Sequence, residues 1–408
     1  MGVVSPNGVG REAYAAALRE GRSGITAIEG LDTNGLRSSA LGQVRDFDLT
    51  IDMDASEVRR VPRMVPLALR ASHEAIAQAG LDEWINSGAD IIERQRQVGV
   101  ALGTGGGGLA FVEEQYRLHF TQHTASLYSI VGGTHGNLSS ELSIALGLRG
   151  PSHVLSTGCT SSTDALGYAA MLIRSGTTPI MLAGGADAPI SRCILIAFEK
   201  MRVISTRRWD NPAHTSRPFS ADRDGFVLGE GAWMFVLEDA DHAAARGVRA
   251  LAELAGYGST CDAYHRVQIA PEVIEPVRAI EIALADADAA KDEIGYVNLH
   301  GTGTELNDRL ETATLRKCFG PRADAIPMSS TKSMIGHPQG ACGAAGVAAT
   351  VLGMQENFVH PTINLDAPDP TCDLDYIPHH ARPRSVDVAL CNCIAFGSKN
   401  SALVLRRV

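Results

Sequence analysis

The sequence predicts an α/β fold made of two halves packed as one body, and three observations carry that reading. Short apolar, β-branched runs alternate with amphipathic stretches of helical length, the pattern of strands joined by helical crossovers. The apolar runs at 98–102 and 179–183 stop at glycine clusters, Gly103 and Gly184-Gly185, where a buried strand gives way to a tight turn. The chain has 408 residues and no low-complexity linker, enough for two domains or one large double unit. Helices are predicted over 65–79, closed by Gly80, and after Cys159, closed by Gly176. Residues 226–237 read as strands around the turn Gly229-Glu230-Gly231, and 238–246 as a short polar helix ended by Gly247. A second α/β half starts near Arg249, which divides the chain into 1–248 and 249–408. In it, 296–299 reads as a buried strand ending at His300, and 339–350 as a helix of small residues. No internal repeat is legible at this level.

Composition narrows the function. Net charge is −10 with no basic stretch, so nucleic acid is not an expected partner. No run of 18 apolar residues is present, so no membrane span is expected. The first ten residues lack the basic-then-apolar pattern of a signal peptide. The eight cysteines form no CxxC pair; Cys391 and Cys393 are the only close ones, without neighbouring histidines. Free thiols in a reducing cytoplasm, and no metal site, are the expectation.

Three glycine-rich junctions carry the candidate chemistry. Residues 103–108 contain GxGxxG after a strand. The acidic residues Glu113 and Glu114 come too early for a ribose contact, and no Lys-Ser/Thr follows, so neither a dinucleotide fingerprint nor a P-loop fits. A close backbone approach is the better reading. Cys159 stands between an apolar run and a helix start. There the free N–H groups stabilise a thiolate and can face a developing oxyanion; an inert buried cysteine is the competing reading. His300 opens a His-Gly-Thr-Gly-Thr loop at a strand end, and His337 lies in Gly-His-Pro before the small-residue helix. Strand ends in α/β folds converge on one site, so three such junctions bearing Cys, His and His point to catalysis. His214, His360, His379 and His380 read as solvated loop residues. Lys332 and Glu311 read as a buried ion pair, or as two surface charges.

With these residues in view, the sequence resembles the β-ketoacyl-acyl-carrier-protein synthases, condensing enzymes of the thiolase fold, nearly end to end. The segments GVVSPNG, STGCTSSTDALGYA, SRPFSADRDGFVLGEGAWMFVLED, YVNLHGTGTELND, STKSMIGHPQGACGA, PTINLD and CNCIAFGSKN occur in the family's order. The resemblance implies two similar halves in a five-layer α-β-α-β-α body. It implies Cys159, His300, His337, Lys332 and Glu311 as active-site residues. Phe396 matches a gating phenylalanine whose N–H joins that of Cys159 in an oxyanion hole, and Thr302 and Thr304 match threonines that hold a phosphopantetheine arm. Arg207 matches a carrier-docking arginine, with Arg60, Arg63, Arg202 and Arg208 as further candidates or ordinary surface charges. The implied reaction is decarboxylative condensation of malonyl-carrier with an acyl group on Cys159. Its substrates ride on the phosphopantetheine of an acyl carrier protein and no bound cofactor is expected.

Three departures from the family pattern bear on structure. The strand that ordinarily precedes GVVSP is missing, which would weaken a sheet edge. The usual GFGGTN run reads Ala395-Phe396-Gly397-Ser398-Lys399-Asn400, a stiffer gating loop. Gly106 replaces a bulky apolar residue at the far end of the acyl pocket, either lengthening that pocket or meeting a packing need. STGCTSSTDALGYA and the acidic TELND/RLET stretch lie closer to type II polyketide ketosynthases than to the fatty-acid-elongating KAS II type. Two rivals remain at this point. A coenzyme A thiolase would need an acid/base cysteine near Cys393, and a chain-length-factor-type partner would lack the nucleophile. A homodimer, or a heterodimer with a chain-length-factor-like subunit, is the implied assembly.

Overall fold

The computed structural model describes all 408 residues. Two sheets organise it. The first runs in the order Gly8–Val9, Gly2–Ser5, Gly231–Glu238, Ile180–Asp187, Val98–Gly103, Ser152–Leu155; the second runs Met328–Ser329, Ile294–Asn298, Val388–Ala395, Lys399–Arg406, Glu253–Cys261. Without the two-residue Gly8–Val9 edge, the sheets have the same topology. Numbered along its own half, each is ordered 3-2-4-5-1, with strand 2 parallel to 3 and 4 and the remaining pairings antiparallel. The repeat that the sequence concealed is thus written in the connections.

Side-chain alternation along the strands sorts residues between layers. In the first sheet Val100 and Leu102 face outward onto the helix Met64–Gln78, while Ala101 faces inward. In the second, Leu390 faces outward onto Ile274–Asp286, while Ala389 and Cys391 face inward. Between the sheets lie the helices Ser161–Arg174 and Cys342–Glu356, which complete the five layers. The second of these is buried from Cys342 to Met354. Its Gly and Ala content follows from that position, because a helix pressed on both faces has no room for long side chains.

Several expected elements shift. Gly184 and Gly185 do not end their strand, which continues to Asp187. A Cβ on Gly185 would come 2.5 Å from that of Ser162, so the glycine lets the central helix approach the sheet. The strands expected over 226–237 reduce to Gly231–Glu238; Phe226 and Leu228 make only isolated bridges to Ile204 and His337. The missing first strand is present in short form, because Gly2–Ser5 itself pairs with Gly231–Glu238 and is fully buried. His360 is not solvated: it is buried and contacts Tyr296 Oη at 3.0 Å and Asn298 Nδ2 at 3.1 Å. Burial lowers its pKa to about 4, so it is a neutral core histidine.

Candidate active site

The shared topology brings the chemistry to one place. Cys159 follows strand 3 of the first half, in a 3₁₀ turn that opens Ser161–Arg174. His337 follows strand 3 of the second half, before a 3₁₀ turn that opens Cys342–Glu356. His300 follows strand 2 of the second half, and 103–108 is the matching loop of the first. Cys159, His300 and His337 are all buried, at 5%, 3% and 2% exposure. His337 Nε2 lies 3.2 Å from Cys159 Sγ, so one proton serves both atoms. The two imidazoles stand nearly perpendicular with ring centres 5.4 Å apart.

Burial first, and the Lys332 charge second, lower the pKa of His300 to about 3. Burial also lowers that of His337. Both rings are neutral near pH 7. His300 Nδ1 faces two donors, Lys332 Nζ at 3.5 Å and the Cys393 thiol at 3.4 Å. It therefore accepts, which leaves the proton on Nε2. Burial pushes the Cys159 thiol up, and nearby Cys342 adds to that, while Lys332 and the Phe396 N–H oppose it. The cysteine rests as a thiol beside a neutral imidazole that can take its proton.

Lys332 and Glu311 are both buried, but each bonds to other groups and not to its expected partner. They grip His300 from opposite sides. Lys332 Nζ donates to the His300 carbonyl at 2.6 Å. Glu311 accepts from the N–H groups of His300 and Gly301 and from Asn392 Nδ2, each at 2.7 Å. The three donors meet the hydrogen-bonding needs of a buried carboxylate without a facing cation.

A cavity of about 400 Å³ reaches Cys159, and its lining includes His300, Thr302, Thr304, His337 and Phe396. The hydroxyls of Thr302 and Thr304 are 2.9 Å apart on its wall. The Phe396 hairpin turns through Gly397 and Ser398, both with positive φ. Ser398 Oγ accepts from His265 N at 3.1 Å and donates to its carbonyl at 2.8 Å, which ties the turn to the 262–266 loop.

Gly106 does not line this cavity. Its N–H donates to Asp187, and a Cβ there would meet that of Pro189 at 2.6 Å. Close packing around Asp187 accounts for the glycine, so the expectation that it opens the acyl pocket is withdrawn. Asp187 itself was missed. It is fully buried and collects the N–H groups of Gly105, Gly106 and Gly340, joining the loop of one half to the His337 loop of the other. An acidic residue closing the apolar run at 180–186 was the available signal.

Of the candidate docking arginines, only Arg202 lines the cavity, together with Arg309, which sequence reasoning passed over. Arg207 is exposed and stacks on Trp209 at 4.2 Å, and Arg208 is exposed. Arg60 pairs with Glu57. Arg63 is committed to buried Glu230 at 2.8 Å and to the Val44 carbonyl at 2.8 Å. That engagement occupies the guanidinium of a side chain that is 39% exposed.

Residues 1–243 match the family model described as beta-ketoacyl synthase, N-terminal domain, and 251–366 match the corresponding C-terminal domain. The chain is 40% identical to a putative polyketide beta-ketoacyl synthase 1 of Streptomyces cyaneus, covering 99% of this chain and 96% of the relative. It is 38% identical to the 3-oxoacyl-[acyl-carrier-protein] synthase 2 of a Synechocystis strain, over 100% and 96%. Among solved structures, one is described as a type II PKS acyl-carrier protein in complex with its ketosynthase bound to the hexaketide. The chain superposes on it with TM-score 0.90 at 32% identity, over 100% and 98% of the two chains. The ishigamide ketosynthase/chain length factor gives the same score and identity, over 100% and 97%. No helix is long and apolar enough to cross a membrane.

Proposed function

The chain belongs to the β-ketoacyl synthase family, and from that premise we propose that it condenses acyl groups with malonyl units on an acyl carrier protein in a type II polyketide pathway. The observation that carries the reading is the Cys159–His337 contact of 3.2 Å beside His300, at the end of a cavity. Cys159 gives its proton to His337 and attacks the carrier thioester; the carrier sulfur leaves with that proton as a free thiol, the acyl group stays on Cys159, and His337 is neutral again. The N–H groups of Cys159 and Phe396 hold the tetrahedral oxyanion. Malonyl-carrier then loses CO2, and the enolate oxygen receives hydrogen bonds from the neutral imidazoles. The carbanion attacks the Cys159 ester, and the β-ketoacyl product leaves on the carrier. Thr302 and Thr304 line the route of the carrier arm, and Lys332 and Glu311 position His300. The chain's own groups supply every proton and charge contact in this scheme. The unit bearing the cysteine is assigned to 1–248 and the unit bearing both histidines to 249–408. Purified protein supplied with acyl-carrier and malonyl-carrier should release CO2 and β-ketoacyl product in equal amounts; neither product forming would sink the proposal.

The intact Cys159–His–His set supports a catalytic chain over a chain-length-factor-type partner, and the His300–Lys332 contact supports a condensing enzyme over a thiolase. A second subunit is part of the proposal. Ser152–Leu155 is an unpaired sheet edge, which proteins ordinarily cover. The packed helices Leu109–Gln122 and Ser129–Gly133 expose Phe120 at 76% and Ile130 at 79%. Large apolar side chains at such exposure mark an interface with a copy of this chain or a chain-length-factor-like subunit. The double variant Phe120→Asp/Ile130→Asp should elute as a 43.1 kDa monomer where the parent is dimeric; an unchanged dimer would place the interface elsewhere.

Carrier proteins are acidic and this chain carries −10 overall, so attraction must come from a local basic patch. Arg202 and Arg309 at the cavity mouth, with exposed Arg207 and Arg208, supply it. Arg207→Glu should raise KM for carrier-bound acyl groups by up to about fivefold, the scale of an exposed charge worth about 1 kcal/mol. Small thioester mimics should be nearly unaffected; equal effects on both would contradict carrier docking there.

A further inference from the structure

Two cysteines outside the catalytic trio meet behind it. Cys342 is the first residue of the helix Cys342–Glu356, and Cys393 lies in the strand Val388–Ala395. Their sulfurs are 3.7 Å apart, and the side chains are buried at 3% and 2% exposure. Both sulfurs lie 3.2 Å from the carbonyl oxygen of Cys159, to which Cys342 donates when it is protonated. Cys393 Sγ also contacts His300 Nδ1 at 3.4 Å.

The two thiols are not equivalent. Cys342 begins a 15-residue helix, whose positive N-terminal end favours a thiolate. Burial opposes its ionisation, but the Cys393 hydrogen bond and the Lys332 charge outweigh burial and hold it well below the usual thiol range. Burial raises Cys393, and its hydrogen bond to Cys342 raises it further. One sulfur is suited to attack and the other to resolve.

We propose that Cys342 and Cys393 form an oxidisable dithiol that a peroxide converts to a disulfide, reversibly disarming the adjacent Cys159. The Cys342 thiolate attacks one peroxide oxygen, the O–O bond breaks and the leaving hydroxide is protonated to water, which gives a sulfenic acid. Cys393 sulfur then attacks Cys342 sulfur, the S–OH bond breaks, and the Cys393 proton leaves with that hydroxide as a second water. In sum, two thiols and one hydrogen peroxide give one disulfide and two waters; the sulfurs lose two electrons and the peroxide oxygens gain them. The 400 Å³ cavity ends at Cys159, His300 and Ala395 and neither thiol lines it, so a small oxidant reaches the pair only when these side chains move aside. Closing the sulfurs from 3.7 Å to about 2.05 Å draws the helix start toward the strand. Both thiol contacts to the Cys159 carbonyl are lost, and the strand moves three residues before Phe396. The effect on condensation rests on the proposed function; disulfide formation does not.

The test treats the full chain with hydrogen peroxide, alkylates it under denaturing conditions and maps peptides without reduction. The expected result is a Cys342–Cys393 crosslink with a mass loss of about 2 Da, condensation lost in proportion, and both reversed by dithiothreitol. Cys159→Ala should form the same crosslink, which separates the dithiol from the catalytic assignment. In Cys342→Ala the crosslink should vanish, and the remaining inactivation should follow oxidation of Cys159 alone. A crosslink that includes Cys159, no crosslink before Cys159 is oxidised, or a crosslinked enzyme with full activity would each overturn the proposal.

Discussion

Cys159→Ala is expected to cut β-ketoacyl product formation by at least about a thousandfold, the usual minimum cost of removing a nucleophile. The structure offers no substitute. Among the side chains lining the cavity, Cys159 is the sole thiol, and the hydroxyls of Thr302 and Thr304 hydrogen-bond each other at 2.9 Å. Cys342 and Cys393 lie behind Cys159 and do not line the cavity. Alanine fits the site without strain, so the fold should persist. His300 and His337 keep their places in this variant, because the backbone gripping them does not involve the Cys159 side chain. Malonyl-carrier should therefore still lose CO2, now uncoupled from condensation. Mass spectrometry of the parent with acyl-carrier should show one acyl group on Cys159, and the variant none. Product formation by the variant above a thousandth of the parent rate, or an acyl adduct on another residue, would move the nucleophile elsewhere.

The sequence exposed those features whose signal is local. Apolar runs ending at Gly103 and His300, and helices closed by Gly80 and Gly176, follow from short-range steric and capping rules, and they are found in place. The Cys–His–His set was legible because each member sits at a strand-to-loop junction that an α/β fold gathers at one end. What escaped depends on contacts distant in sequence. Lys332 and Glu311 looked like partners because a buried charge needs one, yet each reaches His300's backbone instead, an arrangement only the folded loop creates. His360 looked solvated beside Pro361, although Tyr296 and Asn298, over sixty residues away, enclose it. The dithiol joins positions 342 and 393 across two elements, and no spacing rule links them. Gly106 invited a pocket reading because an absent side chain resembles a void; here Pro189 and Asp187 occupy the space. The duplicated topology was invisible for a related reason, since equal strand order places no demand on equal residues.

The two histidines should separate when replaced by alanine, because their first contacts differ. His337 Nε2 touches the Cys159 sulfur at 3.2 Å, whereas His300 contacts Lys332 and Cys393 through Nδ1 and keeps its Nε2 proton free for an incoming oxygen. His300→Ala should thus leave acyl loading of Cys159 largely intact. Decarboxylation of malonyl-carrier should fall by about 10²–10³, the cost of one donor to a developing oxyanion. His337→Ala removes the other enolate donor and also the group that takes the Cys159 proton. Decarboxylation should fall on the same scale, and loading should slow by about 10²–10⁴, the usual range for a general base. Rapid-quench measurement of acyl-Cys159 formation, alongside CO2 release, resolves the two steps. The low pKa of His300, about 3, adds a check. Because its ring is neutral well below pH 7, no loss of decarboxylation between pH 7 and pH 5 should trace to its protonation, and the His300→Ala profile should parallel the parent's over that range. If His300→Ala abolishes loading while malonyl-carrier still loses CO2 at the parent rate, the division of labour is reversed, and the Lys332–Glu311 grip serves the acyl-transfer step instead.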